Sequence, residues 1–145
     1  MIEIEHRATF PQTAEQVFAA VVDFPTLPRW QADVLAAELT SADLALGAVV
    51  HQVRKVMGKR TETDFTATEY VAGELLTLET AADVKPAVRQ RYRVTADGTG
   101  SVVEFQLRLD GVPKMAEHLA KAQLGKNVPK MFNNLGALLA GVSVG

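Results

Sequence analysis

Ile2, Ile4, His6, Ala8 and Phe10 alternate with Glu3, Glu5, Arg7 and Thr9 at the start of the chain. A period of two predicts a half-buried strand with one apolar face. Pro11 ends it. Thr13 then suits a helix N-cap, and Gln16 three residues on completes a capping-box pattern. Val17, Phe18, Val21 and Val22 fall on one helical face. Asp23 and Pro25 stop that helix, because the residue before a proline avoids the helical region. A second short helical turn runs to Pro28-Arg29-Trp30.

From Val34 to Leu109 the pattern is one of consecutive strands. Strands are predicted over Val34–Thr40, Val49–Met57, Thr61–Val71, Leu75–Thr80, Val88–Thr95 and Ser101–Leu109. Ala96-Asp97-Gly98-Thr99-Gly100 between the last two is a hairpin signal. Val88, Gln90, Tyr92 and Val94 face one side and Arg89, Arg91 and Arg93 the other. Any register that puts Tyr92 with the apolar set of the partner strand also puts the arginines beside Glu104.

The remainder is helical. Pro113 suits a first turn, and Met115, Leu119, Ala122, Phe132, Leu135 and Leu139 recur at helical spacing. Pro129 removes a backbone hydrogen bond, which predicts a kink or break between Gly125 and Pro129. The tail, Gly141 to Gly145, is expected to fray. Consecutive strands with short turns make an antiparallel sheet, and only the C-terminal helix is long enough to cover its apolar face. The fold class is therefore α+β: a curved antiparallel sheet of six or seven strands wrapped around a long C-terminal helix, with two short helices after strand 1.

The chain's 145 residues suit one domain, residues 1–145. A net charge of -2 argues against nucleic acid as a partner. The absence of cysteine removes disulfides, thiolate nucleophiles and Cys-ligated zinc. MIEIEHRATF lacks the apolar core of a signal peptide. The longest apolar tract, Leu135 to Val144, is short of the ~20 residues that span a bilayer. These features predict a cytoplasmic protein with no stable membrane insertion, a monomer or homodimer.

The stretch Val17 to Trp30, with Asp23, Pro25 and Trp30 at their spacing, resembles the opening of the START/SRPBCC superfamily, which includes the polyketide cyclase/dehydrase-like proteins. Gly100-Ser101-Val102-Val103-Glu104-Phe105 resembles that family's Gly-Thr turn into the last strand, with Ser101 in place of threonine. The terminal amphipathic helix is the third point of likeness, and Pro129 is a departure from it. The resemblance spans nearly the whole chain. It implies the helix-grip fold and a cavity for a small apolar molecule. No cofactor is expected. The shared motifs are structural, so it implies no catalytic residue.

Candidate lining residues are Phe24, Trp30, Phe65, Tyr92, Phe105, Met115, Leu119 and Phe132, which equally well describe a filled core. Tyr92 and Gln90 share the dry face and have the polar atoms to orient a ligand carbonyl or hydroxyl, or to satisfy each other. His6 falls on the apolar face of the first strand, and His51 shares a strand face with Val49 and Val53. His118, beside Leu119, is the one histidine placed for general acid/base work. No histidine pair has the spacing of a helical metal site. Arg54, Lys55, Lys59 and Arg60 read as a solvated basic strand end.

Three functions fit this pattern. The first is a binding protein for a hydrophobic or aromatic small molecule, which enters near Trp30 and the Gly125–Pro129 break. The second is a polyketide aromatase/cyclase-like enzyme using Tyr92, Gln90 and His118 for aldol cyclisation and dehydration. The third is a protein- or membrane-interaction module without a ligand.

Overall fold

A computed structural model describes residues 1–56 and 58–141. Strand β1 (Ile2–Phe10) is followed by helix α1 (Ala14–Val21) and a 3-10 turn (Phe24–Arg29). Six strands follow: β2 (Val34–Leu39), β3 (Val49–Val56), β4 (Lys59–Val71), β5 (Leu75–Glu79), β6 (Ala87–Asp97) and β7 (Gly100–Asp110). Helix α2 (Lys114–Leu139) completes the described elements. The sheet is antiparallel throughout, in the order β1-β7-β6-β5-β4-β3-β2. This is the helix-grip arrangement expected from the pattern. The Met57 end of the predicted third strand and residues 142–145 of the tail lie outside the described residues.

Local chemistry explains the element boundaries. The capping box forms as predicted: the Gln16 amide donates to Thr13 Oγ1 at 3.2 Å and the Thr13 amide donates to Gln16 Oε1 at 3.0 Å. Val17, Phe18 and Val21 are buried. The β6–β7 hairpin turns at Gly98 with a positive φ of 60°, the conformation a two-residue hairpin loop demands. At Gly100 a side chain would strike the carbonyl oxygen of Phe10, so β1 lies close against the start of β7.

The hairpin register pairs Tyr92 with Phe105 and Arg93 with Glu104, and the two faces separate as the alternation requires. The convex face is laced with polar contacts. Glu69 Oε1 accepts from Thr77 Oγ1 at 2.8 Å, Arg91 Nε at 3.0 Å and Arg89 Nη2 at 3.1 Å. Those donors hold the Glu69 carboxyl below its ordinary range. The concave face carries the aromatic and aliphatic core.

Helix α2 departs from expectation twice. It is helical from end to end, with Pro129 inside it and no break after Gly125. The carbonyl that loses its donor belongs to Gly125, an exposed residue with no side chain over it. Second, the apolar positions do not form one stripe. Leu135 lies sixteen residues beyond Leu119, about 4.4 turns at 3.6 residues per turn, which rotates it nearly half a turn away. Val128, Phe132 and Leu135 are buried, whereas Met115 is 100% and Leu119 67% exposed, and His118 is exposed too. Between Lys114 and Asn127 the helix buries nothing fully. Its sheetward positions there include Glu117, which meets the Met1 amine at 3.3 Å, and Lys121, which lines a cleft with Met1, Glu3 and Glu5.

Two truncations test this phase. Leu135→Ala should cost about 2–5 kcal/mol, and Leu119→Ala about 0.5 kcal/mol or less, in urea unfolding. Equal losses would contradict it.

Candidate functional site: the aromatic and polar concave face

The concave face is organised around Phe132. Its ring lies 5.3 Å from Phe105, 5.4 Å from the stacked imidazole of His6 and 6.1 Å from Trp30, centroid to centroid. Tyr92 adds a ring 4.9 Å from Phe105. The strands set this geometry: His6 pairs with Phe105, Phe105 with Tyr92 and Tyr92 with Leu76, one inward row across four strands. Trp30, Phe24, Phe65, Phe105, Phe132, Tyr92 and Gln90 are all buried, so the structure gathers seven of the ten predicted lining residues into one interior. Met115, His118 and Leu119 do not join them, because α2 turns those positions to solvent. Trp30 is fully buried rather than placed at a mouth. The rings under the second half of α2 meet one another.

A buried polar network crosses the same face. Tyr92 and Gln90 project from β6, and Gln52 and Arg54 from β3. In the flat order of the sheet β3 and β6 are three strand spacings apart, ~14 Å. Gln31, just after the 3-10 turn, bridges them across the curl. Its Nε2 donates to Tyr92 Oη at 3.3 Å, and its Oε1 accepts from Arg54 Nη2 at 3.0 Å. Arg54 also donates through Nη1 to Asp33 Oδ2 at 2.8 Å and through Nε to Gln52 Oε1 at 3.0 Å. The guanidinium is partly buried, at 18% side-chain exposure, and each of its three nitrogens has a partner. Arg54 therefore reaches in from the edge of the interior instead of standing free in a solvated basic cluster. The strand's own alternation marks it, since Arg54 shares parity with the buried Val50 and Gln52.

Burial pushes the Tyr92 hydroxyl up to about 12, with the Arg54 charge and the Gln31 hydrogen bond pulling the other way. The phenol is therefore a neutral donor and acceptor at neutral pH. Two polar atoms of this interior have no partner in the protein among the described residues: Gln90 Oε1 and Trp30 Nε1. Each such buried group costs about 1–3 kcal/mol.

The other two histidines sit elsewhere. His51 points outward, its Nδ1 2.7 Å from Asp64 and its Nε2 3.1 Å from Glu62, and those carboxylates raise its pKa. It lines a shallow cleft with Ala36, Glu38 and Val53. Among the described residues no cluster of His, Asp and Glu has the geometry to hold a metal ion, and no helix is long and apolar enough to cross a membrane.

Solved structures share this architecture along nearly the full chain. A START superfamily protein from Mycobacterium smegmatis superposes with a TM-score of 0.81 at 12% identity, covering 96% of this chain and 97% of its own. The protein TTHA0849 from Thermus thermophilus gives 0.80 at 16% identity, with 96% and 97% covered. A STAR-related lipid transfer protein from Xanthomonas axonopodis gives 0.75 at 17% identity, with 95% and 85% covered. At these identities the likeness establishes the fold alone. A search of curated protein sequences finds no match. Residues 1–140 match the family described as polyketide cyclase / dehydrase and lipid transport, and with that match over almost the whole chain the protein belongs to this family.

Proposed function

We propose that residues 1–145 form a single ligand-binding domain that holds a hydrophobic or aromatic small molecule between the concave face of the sheet and helix α2. The observation that carries this reading is the pair of unpartnered buried polar atoms, Gln90 Oε1 and Trp30 Nε1, set among aromatic rings. A site that is apolar overall with a few placed polar groups is the usual make-up of a small-molecule pocket. The lipid-transport wording of the family and the lipid transfer protein among the structural relatives support the same class of ligand.

Helix α2 supplies the means of access. Its second half is pinned by Val128, Phe132 and Leu135, while its first half buries no residue fully. Gly125 and Pro129 lie at the boundary, where one helical hydrogen bond is missing. The first half can lift away from the sheet without uncovering Phe132, and local opening of this kind draws on the least buried segments of a fold. A ligand that slides in beneath Lys114–Asn127 reaches Leu107, Leu109 and Gln90 first.

The cyclase reading loses ground to this one. General acid/base catalysis needs groups that titrate near the working pH. His118 is on the wrong side of α2, and Tyr92 keeps its proton to about pH 12.

Two measurements test these points. The chain has a single tryptophan, so energy transfer from Trp30 to the neutral probe phenylnaphthylamine reports occupancy of the interior. Saturable transfer with a rise in Tm is expected; no saturable transfer, or transfer without a change in Tm, would contradict the binding reading. The second concerns Tyr92. Its folded pKa is raised from 10.0 to about 12, so its contribution to stability is complete below pH 10 and is lost as pH climbs through 12. Unfolding free energy of the wild type should therefore fall relative to Tyr92→Phe across that window, and parallel curves would show that the phenol is not buried.

A further inference from the structure

Resting on that reading, we infer that the ligand carries a hydroxyl group, which lies between Gln90 and Tyr92, donating to Gln90 Oε1 and accepting from the Tyr92 hydroxyl. The preferred class is thus a neutral, mostly apolar alcohol or phenol rather than a pure hydrocarbon or an acid.

Gln90 and Tyr92 are two residues apart on one strand, so their side chains leave the same face about 6.7 Å apart at the backbone. Neither satisfies the other: no hydrogen bond joins them, and Gln90, only 5% exposed, keeps an oxygen with no donor. Tyr92 Oη already accepts from Gln31 Nε2. Its remaining capacity is its own proton, for which the described residues provide no acceptor. The strand therefore offers a buried free acceptor, Gln90 Oε1, beside a free donor, the Tyr92 hydroxyl. A hydroxyl is the smallest group that uses both, since it carries one proton and two lone pairs. A ketone or ether uses only the donor and leaves Gln90 unpaired. A carboxylate also fails, because it has no proton for Gln90 and its charge would be desolvated against neutral groups.

The surrounding network holds this pair in place. Arg54 binds Gln31, Asp33 and Gln52, one through each of its three nitrogens, so it anchors Gln31, and Gln31 in turn holds the phenolic oxygen. The Arg54 charge is already paired with Asp33 at 2.8 Å, so it does not call for an anionic ligand. The neighbours of Gln90 across the sheet are Leu78 and Leu107, and those of Tyr92 are Leu76 and Phe105. The body of the ligand thus meets aliphatic and aromatic carbon on both sides of its hydroxyl.

Three probes of one size separate the terms: naphthol, methyl naphthyl ether and naphthalene, each titrated by Trp30 fluorescence and calorimetry. Naphthol should bind about tenfold more tightly than the ether, as expected for filling a buried acceptor, and the ether more tightly than naphthalene. Gln90→Leu should erase the naphthol–ether gap and leave ether binding intact. Tyr92→Phe should erase the ether–naphthalene gap, so the assignment is still decided if Gln90→Leu fails to fold. Equal binding of all three probes to the wild type would overturn the hydroxyl assignment while leaving the ligand-binding reading in place. Binding of none would overturn both.

Discussion

The contact of Phe132 with His6, Phe105 and Trp30 holds the remaining structure in register. A sheet of seven strands with one apolar face is stable only if that face is covered, and α2 covers it through about two turns, Val128 to Leu135. Phe132 is the point where β1, β7, the 3-10 turn and α2 converge. Asn134 reinforces it by donating to the Trp30 carbonyl at 3.5 Å. Everything on the N-terminal side of Val128 is attached to the sheet more lightly, and that asymmetry is what makes access to the interior physically reasonable.

The two faces of the sheet use polar residues for opposite ends. On the convex side the arginines of β6 share Glu69 and Glu79 in water, where such pairs contribute little individually but keep the face hydrated. On the concave side Gln31, Gln52 and Tyr92 are withdrawn from water and Arg54 is partly so, and every hydrogen bond among them offsets a desolvation cost. A fold optimised only for stability would replace Gln90 with an aliphatic residue. Keeping an unpaired carbonyl there is sensible if a ligand completes it.

Much of the fold is legible in the sequence because strand alternation reports directly on which face a side chain takes. Ile2 to Phe10 and Val88 to Val94 follow it without exception. The helix is harder to read. Met115, Leu119 and Ala122 have helical spacing among themselves, as do Phe132, Leu135 and Leu139, but the two sets lie on different faces and only the second meets the sheet. Tracking the phase from one set to the next reveals the difference. Within the site, Tyr92 and Gln90 stand out as polar residues on a dry face. Arg54 is obscured by its basic neighbours although its parity with Gln52 is informative. Gln31 and Asp33 carry no signal, since they lie between elements and their role depends on the curl of the sheet bringing β3 towards β6.

The central claim is that a small molecule occupies the interior beneath a movable first half of α2, and hydrogen exchange along that helix tests it most directly. The amides of Lys114–Asn127 should exchange quickly in the free protein and become protected when phenylnaphthylamine is added, while those from Val128 onward are protected throughout. Exchange that is uniformly slow along α2 without the probe, or unchanged over Lys114–Asn127 at saturating probe, would contradict the account.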